Sequence, residues 1–454
     1  MVGKGKGELE KKPVFEGLPE ELAEFLSKDT YSLLVKGESG TGKTLLALTI
    51  LKALMPIDNL LYLSTRTSPL QLVENYPWTE EIFGVPNTPV GGGTKENEGW
   101  ETLVDARLDE PNVVFERITN VLMDRQAPTV VIDSWESLSD TLGSEALRTN
   151  IRVLQTWRER AGARFIFVGE DPASTAIDFM VEGVVVLKER IADGRRLREV
   201  VLSKLHGVKI NRPSYFFTLQ EGTFTSFPGY SPEDLAFRNP LPVRLDRPFR
   251  RSASRFPTGY SPLDSELDGG YQAKSTALIE LDRRLDPRVG LIFLSRTVQD
   301  WLASGDNVFL QRVKGVDARY LNQYARSFGS GTKGKVALFG KGTAGIGHRG
   351  GPETWKGRAT KGAKTLLVVD DSGPAVSTEK LTLPDGVDRA DLTIVLGRSG
   401  EVREETAEKA GVHLKVIEVG GTIFVESDHP WSAMYAVIPG VTSGNPTMRL
   451  EPVV

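Results

Sequence analysis

Eight consecutive residues, Gly37 to Thr44, read GESGTGKT and fill every fixed position of the pattern G-x-x-x-x-G-K-S/T. That pattern holds phosphate. Gly37, Gly40 and Gly42 let the backbone turn so that amides converge on phosphate oxygens, with Glu38, Ser39 and Thr41 completing the loop. Lys43 is expected to reach the β- and γ-phosphates, and Thr44 to hold magnesium. Farther along, Thr129-Val130-Val131-Ile132 closes on Asp133, so a carboxylate lies at the tip of a buried strand, where it can hold Mg2+ through water. A helix-capping aspartate would look the same in isolation. Coupled to Gly37–Thr44, the run implies the second half of a nucleoside triphosphate site. Guanine specificity usually shows as an Asn/Thr-Lys-x-Asp loop, and none stands at a strand end, so ATP is the expected nucleotide.

These residues need elements to place them. The apolar run Ser32–Lys36 predicts a short buried strand before the loop. Lys43–Met55 carries Leu45, Leu46, Leu48, Ile50, Leu51 and Leu54 at helical spacing after it. The helix start also adds a favourable dipole where the phosphates would lie. Strands are further expected at Leu60–Leu63, Val113–Phe115, Thr129–Ile132, Phe165–Val168, Val184–Leu187 and Glu199–Leu202, and helices at Pro69–Tyr76 and Gly143–Arg160. Such alternation predicts an α/β fold, a mainly parallel sheet with helices on both faces, whose ligands collect at the carboxyl ends of the strands.

The chain has 454 residues, 39% hydrophobic and 26% charged, which suits two or three folded domains. No cysteine is present, excluding disulfides and thiol chemistry. The four histidines (His206, His348, His413, His429) show no metal-ligand spacing. No apolar stretch reaches the length of a bilayer span and the first residues lack the apolar core of a secretion signal, so the cytoplasm is expected, without a membrane partner. A net charge of −4 limits any nucleic-acid contact to local patches. Two patches qualify. One is the proline-rich stretch ending in Arg244, Arg247, Arg250, Arg251 and Arg255. The other is the glycine- and lysine-rich segment Gly329–Lys364, which reads as a long mobile insertion and, with few aromatic stacking partners, more as a solvated loop than as a phosphate-backbone contact. The expected organisation is a flexible start (1–13), a nucleotide-binding domain (14–228), a Pro/Arg-rich linker (229–257) and a second domain (258–454).

From about Val14 to Pro228 the sequence resembles the RecA superfamily and, within it, the KaiC-like ATPases. The resemblance rests on Val181-Glu182-Gly183-Val184-Val185-Val186-Leu187-Lys188-Glu189, on Gly194-Arg195-Arg196-Leu197-Arg198, and on Ser203-Lys204-Leu205-His206-Gly207-Val208. These follow the family's "DGVIVL", "GRRLR" and "KxRG" in order, before a hairpin like Tyr215–Phe217 and Thr223–Thr225. It implies a RecA-like fold, homo-oligomeric rings, usually hexameric, with ATP at the seam, and a trans role for Lys204 at the neighbour's γ-phosphate. His206 stands where the family has arginine. The family's paired glutamates after the next strand are also missing, since Thr65, Arg66 and Thr67 occupy that place. Glu136 or Glu101 is the expected substitute for orienting water, and hydrolysis is expected to be slow or absent while ATP binding is kept.

Pro257 to Asp282 resembles the opening of a second KaiC-type domain, but Arg283-Arg284-Leu285-Asp286-Pro287-Arg288-Val289 replaces its phosphate loop. Further runs at Leu291–Leu294, Val308–Leu310, Thr365–Val369, Leu392–Leu396 and Leu414–Val419 keep a sheet, so a degenerate RecA-like domain is expected, with Asp370 and Asp371 vestigial and its surface open to a protein partner. The single phosphate loop and arginine-rich segments also resemble the GvpD-like gas-vesicle regulators, implying a transcription-linked regulator. The remaining alternative resembles RadA, a DNA recombination or repair accessory. Its basic segments favour it, and the absence of a helix-hairpin-helix domain and the acidic net charge oppose it.

Overall fold

The computed structural model describes residues 15–57, 59–84, 102–140, 142–171, 173, 176–192, 194–242, 249, 252, 254–328, 334–339, 362–371 and 390–454. The start 1–13, Glu101, His348, Arg244, Arg247, Arg250, Arg251 and most of the segment 329–364 lie outside them. The chain divides into two compact units, with the boundary after Phe227.

The first unit is built on nine strands: β1 (Tyr31–Gly37), β2 (Leu60–Ser64), β3 (Leu103–Asp105), β4 (Thr129–Asp133), β5 (Arg164–Gly169), β6 (Gly183–Ala192), β7 (Arg195–Leu205), β8 (Ser214–Thr218) and β9 (Thr225–Ser226). They lie in the order β3-β2-β4-β5-β1-β6-β7-β8-β9. From β3 to β6 the pairs are parallel, and from β6 to β9 antiparallel. Successive strand residues face opposite sides. Leu33 and Val35 therefore join the core with Leu46, Ile50 and Leu51 of the Lys43–Leu54 helix. Leu34, Leu61 and Leu63 join the other with Val114 and Ile118, and with Ile151 and Leu154 of the Ser144–Ala161 helix. Both faces are thus covered, as a parallel sheet requires.

The second unit repeats this plan. After the short pair β10 (Arg255–Phe256) and β11 (Tyr271–Gln272) come β12 (Ser275–Leu281), β13 (Asn307–Gln311), β14 (Lys335–Phe339), β15 (Thr365–Asp370), β16 (Leu392–Arg398), β17 (Ala410–Val419), β18 (Thr422–His429), β19 (Tyr435–Thr442) and β20 (Asn445–Pro452). Their order is β14-β13-β15-β16-β12-β17-β18-β19-β20, the first unit's order strand for strand. The chain therefore holds two α/β domains with mainly parallel nine-stranded sheets, both RecA-like. Of the 229–257 segment, Tyr230 donates its amide to Gly421 O at 2.7 Å, Arg238 to Gly444 O at 2.7 Å and Leu241 to Ser443 O at 3.0 Å. Its described residues thereby belong with the second unit.

Two expected strands are helical. Val113–Phe115 lies inside the Pro111–Asp124 helix, which buries Val114, Phe115, Ile118 and Leu122, and Leu291–Leu294 lies inside the Arg288–Ala303 helix. A three- or four-residue apolar run fits either period. In the first case Pro111, at the first helical turn where a missing N–H costs nothing, marks the start. Val336–Phe339, read as a run within a loop, is part of edge strand β14, paired with β13. Among the described residues no helix is long and apolar enough to cross a membrane.

Candidate nucleotide site

The phosphate loop leaves β1 at Gly37 and enters the Lys43–Leu54 helix through Gly42, with no side chain capping the helix start, so its first amides are open to a ligand. A Cβ on Gly37 would stand 2.3 Å from Leu187 O, so only glycine lets the loop leave the sheet beside β6. Gly40 has φ of 82° with nothing within 4 Å of a built Cβ, so conformation rather than crowding demands glycine there. Glu38, Ser39 and Gly40 are exposed. Glu38 O gathers the loop, accepting from Thr41 Oγ1 at 2.8 Å and from Lys43 Nζ at 2.8 Å. The Lys43 ammonium is thereby folded back over the loop.

Asp133, at the tip of β4, accepts at Oδ2 from Thr44 Oγ1 at 2.8 Å and from Tyr62 OH at 2.8 Å. Burial pushes its carboxyl above the ordinary range, resisted by those two hydrogen bonds and by Lys43. Burial pulls the Lys43 ammonium down, against Glu170, Asp133 and Glu136, while Arg66 pulls it down further. The hydroxyl of Thr44 and the carboxylate of Asp133 are the hard oxygen donors that magnesium takes, already side by side. Both residues fit that ion. No group of three or more His, Cys, Asp or Glu that could cage a metal occurs among the described residues. A magnesium ion here would be completed by phosphate and water.

Around Asp133 the neighbouring strand tips are tied together. Thr65 donates its amide to Asp133 O at 2.7 Å and its hydroxyl to Ser134 O at 3.1 Å, and accepts from the Ser134 amide at 2.7 Å. Glu136 sits beyond β4 and turns towards β5. Its Oε1 accepts from the amides of Glu170 at 2.6 Å and Asp171 at 3.3 Å, while Oε2 is buried without a hydrogen-bond partner. Arg66, past the tip of β2, is ion-paired with Glu170, past the tip of β5.

Lys204 and His206 are not brought to this loop within their own chain. Lys204 pairs with Val184, which is level with Leu34 rather than with Gly37, and its ammonium donates to Asp178 O at 3.1 Å and Val181 O at 2.5 Å. His206 lies exposed in the turn after β7. Sequence reading passed over Tyr62 and Glu170. The signal for Glu170 was the one used for Asp133, an apolar run ending in a carboxylate, since Phe165–Val168 leads through Gly169 to Glu170. Tyr62 gave none beyond being an aromatic in a strand.

At the matching place in the second unit the chain supplies its own ions. Arg398, the last residue of β16, donates from Nη1 to the carbonyls of Asp282 at 3.1 Å, Arg283 at 3.3 Å and Leu285 at 2.5 Å. Asp286 Oδ1 takes the amide of Arg288, the first residue of the following helix, at 2.9 Å. A loop that should aim amides at phosphate instead aims carbonyls at a guanidinium, and the helix start is met by a carboxylate. Asp370, at the tip of β15, occupies the place of Asp133 but accepts from the Lys314 amide.

The GvpD gas vesicle protein P-loop domain family matches residues 22–203. The Protein GvpD2 of Halobacterium salinarum is 27% identical over 309 residues, covering 64% of this chain and 61% of that protein. Protein GvpD1 of the same organism is 26% identical over 294 residues, 63% of this chain and 54% of its own length. The circadian clock oscillator protein KaiC 1 of Synechocystis sp. is 26% identical over 259 residues, 54% of this chain and 47% of its own. The chain thus covers less than two thirds of these relatives.

Proposed function

We propose that the chain, whose residues 22–203 match the GvpD gas vesicle protein P-loop domain family, is an ATP- and Mg2+-binding switch whose nucleotide state sets its assembly or its choice of partner. The observation that carries this is the meeting of Thr44 and Asp133 at 2.8 Å beside Lys43, under an uncapped helix start. Gly37–Thr44 hold the phosphates, and Thr44 and Asp133 hold the metal, which would neutralise phosphate charge when bound. On this reading residues 14–228 bind nucleotide and 258–454 form a domain without a nucleotide, free to dock a protein partner. Hydrolysis is slow, since Thr65, Arg66 and Thr67 stand where KaiC-like ATPases carry a pair of glutamates. The ring seam, with Lys204 and His206 facing a neighbour's nucleotide, is part of the same proposal, as is action in the cytoplasm. The GvpD match favours a regulator acting through a protein over a DNA repair accessory.

Calorimetry with Mg-ATP on the parent and on Lys43→Ala tests the core of this. The parent should bind and the variant should lose at least about tenfold in affinity, given the worth of a charge-assisted phosphate contact. Equal affinity in both would overturn the site. Phosphate release at ordinary NTPase rates would overturn the slow-hydrolysis part. Partner binding that ignores ATP would remove the switch.

A further inference from the structure

We infer that the Arg66–Glu170 ion pair is a γ-phosphate sensor: Arg66 leaves the Glu170 carboxylate for the terminal phosphate of a bound nucleoside triphosphate and keeps Glu170 when a diphosphate is bound. This deepens the nucleotide reading above and rests on it.

Position comes first. β4 lies between β2 and β5, so residues past the tips of β2 and β5 flank Asp133 on either side. Ser64 is level with Asp133, and Arg66 follows two residues later. Gly169 is level with Lys36, so Glu170, the next residue, stands beside the start of the phosphate loop at Gly37. Both side chains act electrostatically on Lys43, the residue that reaches the β- and γ-phosphates. The pair therefore spans the end of the site where a third phosphate lies.

The two partners are held unequally. Glu170 is fixed by its own amide, which Glu136 Oε1 accepts at 2.6 Å, and its side chain is 27% exposed. Arg66 has its backbone steadied by the neighbouring Thr65–Ser134 hydrogen bonds, but its side chain is 54% exposed. A swing of the guanidinium needs no backbone movement. A pair with one partner this open to solvent contributes little net stability, so it breaks readily. A terminal phosphate offers a planar fork of donors more charge and more oxygens than one carboxylate does, whereas a diphosphate places no such group there. Arg66 thus converts the presence of the third phosphate into a freed Glu170 at the mouth of the site.

Equilibrium binding of Mg-ATP and Mg-ADP to the full-length parent, Arg66→Gln and Glu170→Gln tests the exchange. Arg66→Gln should weaken ATP by about tenfold and leave ADP within about twofold, as expected for one lost charge-assisted contact. Glu170→Gln should tighten ATP relative to ADP, because the competing carboxylate is gone, and that gain cannot come from misfolding. Arg66→Lys should recover part of the discrimination. If Arg66→Gln weakens ATP and ADP alike, or neither, or if Glu170→Gln weakens ATP, the sensor is overturned while nucleotide binding stands. If the parent binds neither nucleotide, the nucleotide reading falls and the sensor falls with it.

Discussion

Burial raises the pKa of the Asp133 carboxyl, and donors on two sides, Tyr62 and Thr44, oppose that rise. Removing one donor leaves a buried acceptor short. Tyr62→Phe should therefore cost about 1–3 kcal/mol of stability, read as a shifted urea midpoint, and an unchanged midpoint would show that the hydrogen bond contributes nothing. Asp133→Asn keeps the shape and removes the charge that a divalent ion needs. In that variant the magnesium dependence of nucleotide binding should largely disappear, and a dependence equal to the parent's would assign the metal to other groups.

At the level of elements, the Glu20–Leu26 helix is pinned to the strand region around β8 by Glu21. Its carboxylate accepts from Tyr215 OH at 2.5 Å, the Arg212 amide at 3.0 Å and the Asn211 amide at 3.2 Å. Burial raises the Glu21 pKa, but the hydrogen bonds from Tyr215 and the backbone outweigh it, and the net shift is downward. A depressed carboxyl contributes stability that is present above its unfolded pKa of about 4.3 and is lost as pH falls through the lower folded value. Glu21→Gln should lower the melting temperature at neutral pH and flatten its fall below about pH 5, and parallel curves for parent and variant would refute the assignment. The Pro111–Asp124 helix gives a second check on the corrected element. Ile118, fully buried on its sheet-facing side, should cost about 2–5 kcal/mol on truncation to Ala, whereas exposed Glu116 should cost almost nothing.

On the scale of the whole chain, two sheets with one strand order end in opposite chemistry. In the first the loop after β1 is open to an anion. In the second the loop after β12 is satisfied internally by Arg398, Asp282 and Asp286, with Asp282 held down to about 2 chiefly by its hydrogen bond to Arg284. Titration calorimetry of the full chain should give about one nucleotide per chain, because the loop after β12 is already occupied by the Arg398 guanidinium and the Asp286 carboxylate, whereas the loop after β1 keeps its helix start open to phosphate. Arg398→Ala should loosen the second loop and lower the melting temperature without adding a site. A second equivalent of bound nucleotide, in parent or variant, would contradict this reading of the second domain.

The fold class and the phosphate loop were legible because both depend on local spacing: glycines, lysine and threonine within eight residues, between a buried run and a helical one. The loss of the second loop was legible for the same reason, since Arg283–Val289 has none of the first loop's glycines and puts Pro287, which has no amide hydrogen, just before the helix. Short apolar runs were not, and Val113–Phe115 and Leu291–Leu294 became helices because three or four residues do not define a period. The sequence by itself determined what the loop can hold. Which side chains surround it was decided by the tertiary structure alone. Arg66 and Glu170 meet across 104 positions, and Arg398 reaches Asp282 across 116, because parallel strands far apart in the chain finish side by side at one edge of the sheet.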